Sequence, residues 1–405
     1  MKRLIIRILR ALRIRHPSPE TFLIPAYAGL GNFIMMTPMI LELKRRVPGA
    51  RIFLLTWPSY GTDQVFDAPE VDVGCWMLDV GLKKRLPESS LDSHPKFKIQ
   101  NSEFSAISGI FLLDPSSPLW RKALFFMKLR RWRFATAFIP FDACPPFVWW
   151  GFALAGCFRI IGHSMEALGI NMGWTQNVLD TSVPFRLDVH EADLHFDLLD
   201  ELFGEKVARN YQGHVQSGGK DLLDKYGLTA GEYIVIQLSA ANALPNPKMW
   251  PLSHFSDLIK RLNSDGETIV LPGDINEKPI VDAFIKRCNL IRVVNISGLT
   301  TVSEVSTVIR HAKMLICHDS GLMQIGNAHN TPLLCIIGAT DETFYKPHSK
   351  SSCVIKKGLP CSPCIKNLNK TMEQALKDCP INVQCMRDIT VDEVYAACGA
   401  LLRGG

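Results

Sequence analysis

A short polar turn after an apolar run is the part of the sequence best suited to chemistry. Residues 313–317 form the apolar run, Asp319-Ser320-Gly321 follow it, and a helix-like segment begins at Gly321. A turn of this kind at the carboxyl end of a buried strand directs backbone N–H groups and a helix N-terminus at a ligand. Asp319 adds an acceptor for hydroxyl or amide groups. The stretch therefore predicts a site for a phosphorylated, sugar-like ligand.

Two other polar loops are expected to lie beside this turn. The first runs from Ser239 to Pro251 and contains Lys248, and the second runs from Pro272 to Glu277. Together with the turn they suit a nucleotide diphosphate, because Lys248 would neutralise phosphate and Glu277 would bind the ribose or a base donor. The alternatives without a role in binding are a lysine that is simply solvated and a glutamate that only caps a helix.

The second half of the chain alternates between apolar runs and amphipathic segments, which is typical of a parallel sheet covered by helices. We predict strands at 233–238, 267–271, 291–294, 313–317 and 333–337. Helices are predicted near 252–263, 277–288, 302–311 and 321–329. In such sheets the ligand lies at the carboxyl ends of the strands, where all three polar loops fall.

The first half begins with a similar β-α-β unit. We predict a strand at 21–27, a glycine turn at 29–32, a helix to residue 46 and a strand at 51–56. Thr37-Pro38 is expected to begin a second, better-formed part of that helix, because proline is favoured at the first helical position. The third glycine of the dinucleotide-binding fingerprint would fall at Ile34, which excludes an NAD-type site here.

The stretch 120–133 is both basic and aromatic. Its members are Arg121, Lys122, Lys128, Arg130, Arg131 and Arg133, with Trp120, Phe125, Phe126 and Trp132. One hypothesis is a nucleic-acid surface, but the aromatic residues recur at helical spacing, which favours a helix with a buried aromatic face and a solvated basic one. We therefore predict no nucleic-acid partner. A membrane-facing or phosphate-facing role is compatible with the same pattern.

At 405 residues the chain is long enough for two domains, because single hydrophobic cores rarely grow beyond ~250–300 residues. Its composition, 47% hydrophobic and 21% charged, is that of a globular protein. We predict a basic amphipathic segment at 1–20, a first α/β domain at 21–205 and a second at 206–405. The second domain includes a cysteine-rich loop at 353–385.

The first fifteen residues carry much of the formal net charge of +6. Basic residues alternate there with leucine and isoleucine and no acid is present, which predicts contact with an anionic membrane surface. A disordered or signal-like leader is the alternative, but the apolar run Leu4-Ile5-Ile6 is too short for a signal peptide. No stretch is long and apolar enough for a spanning helix. We expect a cytoplasmic protein, and the resemblance described below implies that it is peripheral on the inner face of the inner membrane.

Twelve cysteines are present, and four of them cluster late in the chain. Cys361 and Cys364 form a C-x-x-C pair, followed by Cys379 and Cys385. Four thiolates in a short segment predict a tetrahedral structural Zn or Fe site. Free thiols and a disulfide are the alternatives, and a reducing cytosol disfavours the disulfide.

Several of these segments together resemble glycosyltransferase family 9, the ADP-heptose–lipopolysaccharide heptosyltransferases. The resemblance is carried by Lys248-x-Trp250-Pro251-x-x-x-Phe255, Pro272-Gly273-x-x-x-Glu277, Ser297-Gly298-Leu299-Thr300, Asp319-Ser320-Gly321-Leu322-Met323, Gly338-x-Thr340-Asp341, Gly29-Leu30-Gly31 and Thr37-Pro38. It covers roughly residues 21–395.

The resemblance implies an α/β fold of GT-B architecture, with two Rossmann-like domains facing a central cleft. The domain at 21–205 would then lie on the acceptor side, and the domain at 206–405 would bind the nucleotide-sugar donor. The family transfers a heptose, with inversion, from ADP-heptose to inner-core lipopolysaccharide, and it needs no metal for catalysis. The implied partners are a nucleotide sugar, a lipid-linked glycan acceptor and the cytoplasmic membrane surface.

Residue by residue, the resemblance implies a set of donor contacts. They are Ser239, Lys248, Glu277, Asp319, Ser320, Gly321, Leu322, Gln324 and Thr340. Gly29 and Gly31 would lie on the acceptor side. Lys248 and Asn32 occupy the positions expected to take part in catalysis.

The chain departs from the family at two of these positions. Asn32 stands where the family has an aspartate proposed as general base, and Gln324 stands where the family has a histidine. An amide accepts no proton at neutral pH. Either another carboxylate supplies the base, with Asp142 or Asp63 as candidates, or the acceptor differs, or activity is low. The alternatives for the whole chain are the same fold with another donor or acceptor, and a catalytically silent nucleotide-sugar-binding protein.

Overall fold

A computed structural model describes residues 16–58, 61–71, 73, 106–141, 145–164, 166, 175–239, 246–366 and 371–403. Within these ranges no helix is long and apolar enough to cross a membrane. The chain forms two compact units, each built on its own parallel sheet. Unit 1 comprises Met1–Ala28, Ile40–Phe185 and Asp197–Val207, and unit 2 comprises Gly29–Met39, Arg186–Phe196 and Ala208–Gly405. Two short segments of the first half therefore belong to unit 2.

Six parallel strands form the sheet of unit 1, in the order β3-β2-β1-β4-β5-β6. They are β1 (Ser18–Pro25), β2 (Arg51–Thr56), β3 (Gly109–Leu112), β4 (Phe134–Ile139), β5 (Arg159–Ser164) and β6 (Thr181–Pro184). The central strands are continuous apolar runs, as expected where both faces of a parallel sheet are covered. The order is that of doubly wound folds, in which the winding direction reverses between β1 and β4.

The helices of the first half are α1 (Leu30–Arg46), α2 (Leu119–Leu129), α3 (Pro146–Leu154) and α4 (Glu191–Phe203), with a 3-10 turn at Arg130–Trp132 after α2. Aromatic side chains fill the core of unit 1. Phe111 is fully buried and its ring stacks on that of Phe53 at 5.3 Å, while Phe126 and Phe134 are also fully buried. The predicted burial of the aromatic residues of α2 is confirmed for Phe125 and Phe126, whereas Trp120 is 56% exposed.

Unit 2 repeats the same sheet topology. Its strands are β7 (Tyr233–Ile236), β8 (Thr268–Leu271), β9 (Val293–Asn295), β10 (Met314–His318), β11 (Leu333–Ile336) and β12 (Ser352–Ile355). The order β12-β11-β10-β7-β8-β9 places β7 and β10 side by side at the centre. The winding direction reverses between these two strands, which is where open α/β sheets bind ligands.

The helices of unit 2 are α5 (Leu252–Ser264), α6 (Lys278–Cys288), α7 (Val302–Arg310), α8 (Gly321–His329), α9 (Glu342–Tyr345), α10 (Met372–Lys377), α11 (Gln384–Arg387) and α12 (Val391–Arg403). The predicted strands and helices from 233 to 337 are confirmed, and their ends agree within two residues. The amphipathic helix α5 shows why: its Phe255, Leu258, Ile259 and Leu262 are all buried.

The expectation that Thr37-Pro38 begins a second, better-formed part of this helix was wrong, because α1 is continuous with Pro38 in its interior. Proline lacks the N–H that would bond to the carbonyl of Ile34, four residues earlier. The Thr37 hydroxyl donates to that carbonyl at 2.7 Å instead. Thr37 Oγ1 also accepts from the His214 N–H at 2.7 Å, so the replacement is held in place by a residue distant in sequence.

The apolar stretch from 147 to 161 contains two elements. Helix α3 ends at Leu154, and β5 begins at Arg159. Gly156 has a positive φ of 73°, a conformation that glycine adopts without steric cost, and it turns the chain between them. The loop predicted at 81–108 lies almost entirely outside the described residues.

Candidate active site

The candidate site of unit 2 is built on the point where the sheet changes winding direction. β7 leads into Ser239, and β10 leads into Asp319. Because β7 and β10 are hydrogen-bonded neighbours, the loops that follow them start side by side. The topology therefore brings together two of the three loops that the sequence predicted to meet.

Lys248 and Asp319 form an ion pair at this point. The Lys248 Nζ lies 2.9 Å from Asp319 Oδ2, and it also donates to the Asp319 carbonyl at 3.3 Å. Their side chains are only 16% and 9% exposed, and Lys248 Nζ is 5.9 Å from the centre of the Tyr345 ring. A lysine held in this way is a fixed cation beside the start of α8, so the solvated-lysine alternative is wrong.

Ser320 caps α8 and links it to the neighbouring strand. Its Oγ accepts from the Met323 N–H at 3.5 Å and donates to Gln237 Oε1 at 2.7 Å. Helix geometry leaves the first N–H groups, those of Gly321 and Leu322, without carbonyl partners inside the helix. The helix dipole adds partial positive charge there, so this end of α8 suits an anion.

The glycine turn before α1 packs directly on the start of α8. A Cβ at Gly31 would lie 3.3 Å from Gly321 Cα and 3.4 Å from Gly321 N, whereas a Cβ at Gly29 would meet only Asn32 Oδ1, at 3.8 Å. Close backbone approach thus explains the glycine at 31, whereas a Cβ at Gly321 would lie at an ordinary contact distance of 3.5 Å from Gly31 N. Both segments belong to unit 2, so this glycine turn and the Asp-Ser-Gly turn share one compact body.

Glu277 is half-buried and hydrogen-bonded. The Ser239 hydroxyl donates to its Oε1, and the Asp274 N–H donates to Oε2 at 2.9 Å. Burial raises the pKa of the Glu277 carboxyl, and the hydrogen bonds oppose that effect only in part. Glu277 precedes α6, but its side chain makes no capping bond to that helix, so the interpretation as a simple cap is wrong.

Two exposed aliphatic residues, which sequence analysis did not identify, lie in the loop of Glu277 and in the loop that contacts it. Ile275 is 66% exposed and Leu299 is 52% exposed. Their loops are tied by the Gly298 N–H, which donates to the Gly273 carbonyl at 2.9 Å. A Cβ at Gly298 would lie 3.0 Å from Ile275 Cδ1, so the loops are in contact. Apolar surface next to a carboxylate is suited to a nucleoside.

His318, at the end of β10, is a site residue that sequence reasoning missed as part of an apolar run. It is fully buried, and its Nε2 accepts from the Trp250 N–H at 3.0 Å. Burial lowers its pKa to about 3, and the nearby Lys248 charge adds to the effect. The neutral imidazole therefore fixes the loop two residues beyond Lys248. The only sign of this role in the sequence is the position of the histidine, at the end of a predicted strand and directly before Asp319.

Asn32 meets a carboxylate that the sequence also did not reveal. Its Nδ2 donates to Glu191 Oε2 at 3.0 Å, and Glu191 is fully buried at the start of α4. His195 Nε2 lies 3.7 Å from the other oxygen of Glu191. Of the other base candidates, Asp63 is in a 3-10 turn of unit 1, and Asp142 lies outside the described residues.

The two remaining predicted donor contacts lie in buried positions. Gln324 is 2% exposed, and its Nε2 donates to the Tyr345 carbonyl at 3.0 Å. Thr340 is 4% exposed and forms a β-bridge with Ile365. Gln324 thus holds the segment after α9, while Thr340 ties the turn after β11 to the cysteine-rich loop.

The four late cysteines lie near one another. Burial, with a smaller contribution from the neighbouring thiols of Cys364, Cys379 and Cys361, raises the pKa of the Cys385 thiol to about 11. The N–H groups of Cys364 and Ile365 both donate to the Ala339 carbonyl. Among the residues described, no three His, Cys, Asp or Glu side chains are arranged to hold a metal ion. The metal site remains a prediction.

Comparisons with known proteins point to one family. Residues 178–375 match the model of glycosyltransferase family 9 (heptosyltransferase). Lipopolysaccharide heptosyltransferase 3 of Escherichia coli is 33% identical over 121 residues, which cover 29% of this chain and 35% of that protein. The chain thus aligns with only about a third of the length of that curated relative.

Two solved structures have a similar fold. The ADP-heptose lipopolysaccharide heptosyltransferase II of E. coli superposes with a TM-score of 0.64 at 16% identity, covering 95% of this chain and 99% of the other. The iron-containing dodecameric glycosyltransferase TibC of E. coli gives 0.52 at 14% identity, covering 97% and 78%. The predicted α/β, GT-B class of fold is confirmed.

The resemblance to glycosyltransferase family 9 seen in the sequence is confirmed over residues 178–375. The match lies mainly in the half that holds Lys248, Glu277 and Asp319. Over residues 178–375 the chain is similar to glycosyltransferase family 9 (heptosyltransferase), and its fold is similar to that of heptosyltransferase II of E. coli.

Proposed function

We propose that the protein transfers a heptose, or a similar sugar, from a nucleotide-diphosphate donor to a lipopolysaccharide core or another lipid-linked glycan. The observation that carries this proposal is the Lys248–Asp319 ion pair beside the N-terminus of α8. ADP-heptose is the proposed donor, supported by the name of the heptosyltransferase II that shares the fold.

The donor would be held from three sides. The Lys248 ammonium and the N–H groups of Gly321 and Leu322 would bind the diphosphate, because they combine a fixed charge with oriented dipoles. Glu277 would accept hydrogen bonds from the ribose hydroxyls. The nucleobase would pack on Ile275 and Leu299, which are exposed in two loops that contact each other near Glu277.

The reaction would be a direct displacement at the anomeric carbon, with inversion. An acceptor hydroxyl attacks, the bond from the sugar to the diphosphate breaks, and the diphosphate leaves with the bonding electrons. Lys248 and the start of α8 would stabilise the charge that develops on this leaving group. Asn32 carries no basic group, so in this scheme its amide would orient a hydroxyl while a carboxylate elsewhere takes the proton.

Binding of donors tests the site. Calorimetry with ADP-, GDP- and UDP-sugars should show one preferred nucleotide, and Lys248→Ala and Asp319→Ala should weaken it roughly tenfold to a hundredfold, as for lost charged hydrogen bonds. Lys313→Ala is the matched control, because Lys313 also pairs with a carboxylate, Glu267, at the other end of β10. Absence of binding to every donor would refute the site.

Transfer tests the activity separately. Product formation from the preferred donor and a lipid-linked glycan supports the proposed enzyme, while transfer of a different sugar supports the same fold with another specificity. The presence of amides at Asn32 and Gln324, where the family has an aspartate and a histidine, motivates a second candidate, a silent nucleotide-sugar-binding protein. Donor binding without transfer to any glycan would favour that candidate.

We also propose that the cysteine-rich loop holds a structural Fe or Zn ion through Cys361, Cys364, Cys379 and Cys385. Support comes from the mutual proximity of the thiols and from TibC, an iron-containing glycosyltransferase with a similar fold. The ion would fasten the loop that carries Ile365, the β-bridge partner of Thr340. Elemental analysis of tag-free protein should find about one equivalent, and Cys361→Ser should lose it. Less than about half an equivalent in the unsubstituted protein would refute the site.

The proposed setting is the cytoplasmic face of the inner membrane, where a lipid-linked acceptor would be presented. Support comes from the basic and apolar residues at the start of the chain. Catalysis is proposed to need no metal, as the family resemblance implies, and transfer should then persist in the presence of a chelator.

A further inference from the structure

Helix α2 of unit 1 carries an exposed face that is apolar and basic at once. Leu119, Trp120 and Met127 are 69%, 56% and 48% exposed. Trp120, Met127 and Arg131 are spaced by seven and four residues, so they follow one line along the helix and the 3-10 turn after it. The α2 face consists of Leu119, Trp120, Arg121, Met127, Lys128 and Arg131.

The other side of the same helix belongs to the core. Phe125, Phe126 and Leu129 are buried. Lys122 is buried with them: its Nζ donates to the Pro115 carbonyl at 2.6 Å and lies 4.4 Å from the centre of the Phe147 ring. The basic residues of the stretch therefore divide into a structural lysine and the cations of the α2 face.

The sequence that carries this face has charge of one sign: no aspartate or glutamate occurs from Pro115 to Phe141. The Arg131 guanidinium lies over the Trp132 ring at 4.0 Å, and that of Arg121 lies over the Trp120 ring at 5.2 Å. Such stacking keeps the cations beside apolar surface.

The start of the chain joins the structure beside the end of this helix. The Ser18 N–H donates to the Arg133 carbonyl at 2.8 Å, and the Arg133 side chain donates to the carbonyl of His16. Ser18 therefore lies next to the basic residues that follow α2, and the basic residues 1–15 precede it in the sequence.

We propose that the α2 face docks unit 1 on an anionic lipid bilayer. Apolar side chains surrounded by cations are what an anionic membrane surface binds, through burial in the acyl boundary and attraction to the headgroups. A two-fold contact with a second copy is disfavoured, because it would bring the cations of both copies together and their charges would repel. Nucleic acid is disfavoured because Leu119 and Met127 provide no stacking surface. The inference rests on the proposed function in one respect: the lipid-linked acceptor is the reason why docking on a membrane would be useful.

Co-sedimentation of the full chain with vesicles tests this proposal. Vesicles of phosphatidylglycerol and phosphatidylcholine should retain the protein, and vesicles of phosphatidylcholine alone should not. The triple variant W120S/K128Q/R131Q should bind the anionic vesicles at least about tenfold more weakly, because it loses one apolar anchor and two cations. These side chains project from the surface, so the fold should persist.

A matched triple variant in unit 2 is the control. I291S/K286Q/R287Q also removes one exposed apolar side chain and two exposed cations, with Ile291 66% exposed. It should bind like the unsubstituted protein. Equal loss in both variants, unchanged binding of the α2 variant, or no binding of the unsubstituted protein to anionic vesicles would overturn the proposal. So would a loss of RNA binding in the α2 variant that exceeds its loss of vesicle binding.

Calorimetry with ADP separates this proposal from the proposed function. The α2 variant should retain ADP affinity, because Lys248 and Asp319 lie in unit 2. Failure of vesicle binding with intact ADP binding refutes only the docking face. Failure of ADP binding in the unsubstituted protein refutes only the donor site.

Discussion

At the scale of single residues, buried polar side chains explain how the candidate site is held. Glu277 receives hydrogen bonds from Ser239 and Asp274, which follow different strands, so one carboxylate ties two loops together. His318 does the same for the Trp250 loop. Each of these groups is partly or fully removed from water, so its hydrogen bonds are costly to lose.

Glu277 should make stability depend on pH. Its pKa is raised by burial, so the folded protein holds this proton at pH values where the unfolded chain has lost it. The stability that this proton contributes is present at low pH. It is lost as pH rises from the pKa of the unfolded chain, about 4.3, through the pKa of the folded protein. Glu277→Gln stays neutral, so the melting temperature of the unsubstituted protein should fall relative to this variant over that window. Glu232→Gln, at an exposed position, should show no such difference.

A second residue-scale prediction concerns Asn32. Asn32→Asp would set two carboxylates against each other, because Glu191 is buried within hydrogen-bond distance of the present amide. Like charges at this separation raise a carboxyl pKa, so stability should fall as pH rises above about 4, by about 1.4 kcal/mol for each unit of the shift. Urea denaturation measures the effect.

The paired substitution Asn32→Asp with Glu191→Gln is the control for that experiment. It restores one neutral partner and should remove most of the pH dependence. Equal stability of Asn32→Asp and the unsubstituted protein from about pH 5 to 8, where both carboxylates would otherwise ionise, would contradict the inferred Asn32–Glu191 contact.

At the scale of elements, much of unit 2 could be predicted from the sequence. Buried parallel strands are continuous apolar runs, and the helices between them show a clear amphipathic period, so β10 and α8 were found nearly to the residue. The path of α1 through Pro38 could not be predicted, because it depends on the Thr37 hydroxyl and on His214, which is distant in sequence.

The same distinction applies to the site. Lys248, Asp319 and Glu277 could be identified by residue type and by their position after strands. The partnership of Asn32 with Glu191 joins residues 159 positions apart, and no local pattern encodes it. The pairing of Ile275 with Leu299 likewise depends on how β8 and β9 lie in the sheet.

The contact between the glycine turn and α8 gives a prediction at this scale. Gly31→Ala would push a methyl group to 3.3 Å from Gly321 Cα, and backbone on both sides leaves little room to yield. We expect a loss of about 1–3 kcal/mol in unfolding free energy, as for other overpacked sites, together with weaker donor binding. Gly29→Ala, two residues earlier, would meet only Asn32 Oδ1, at an ordinary contact distance of 3.8 Å, so this variant should behave much like the unsubstituted protein. Equal behaviour of the two variants in urea denaturation and calorimetry would contradict the close approach.

At the scale of the whole molecule, two units share one strand order but differ in chemistry. Unit 2 holds the ion pair and the half-buried carboxylate, while unit 1 carries the basic and apolar helix face. Residues 1–15 lie outside the described ranges, so their basic character is known from the sequence alone.

Removal of residues 1–15 gives the prediction at this scale. The shortened protein should partition less onto anionic vesicles than the full chain, because each lysine or arginine near the surface contributes about 1 kcal/mol. Binding of ADP should be unchanged. Sedimentation with phosphatidylglycerol vesicles at two salt concentrations measures it, and the same partitioning with and without the segment would refute a membrane role for it.

The assignment of Gly29–Met39 and Arg186–Phe196 to unit 2 has a consequence for biosynthesis. These segments leave the ribosome long before Lys248 or Asp319 is synthesised. Unit 2 is therefore assembled from segments that are synthesised at different times. It can be completed only after the last strands have emerged. A fragment that begins near residue 206 would lack Asn32, Thr37 and Glu191, which belong to the body of unit 2. It should be recovered mainly as aggregate, whereas the full chain should be soluble.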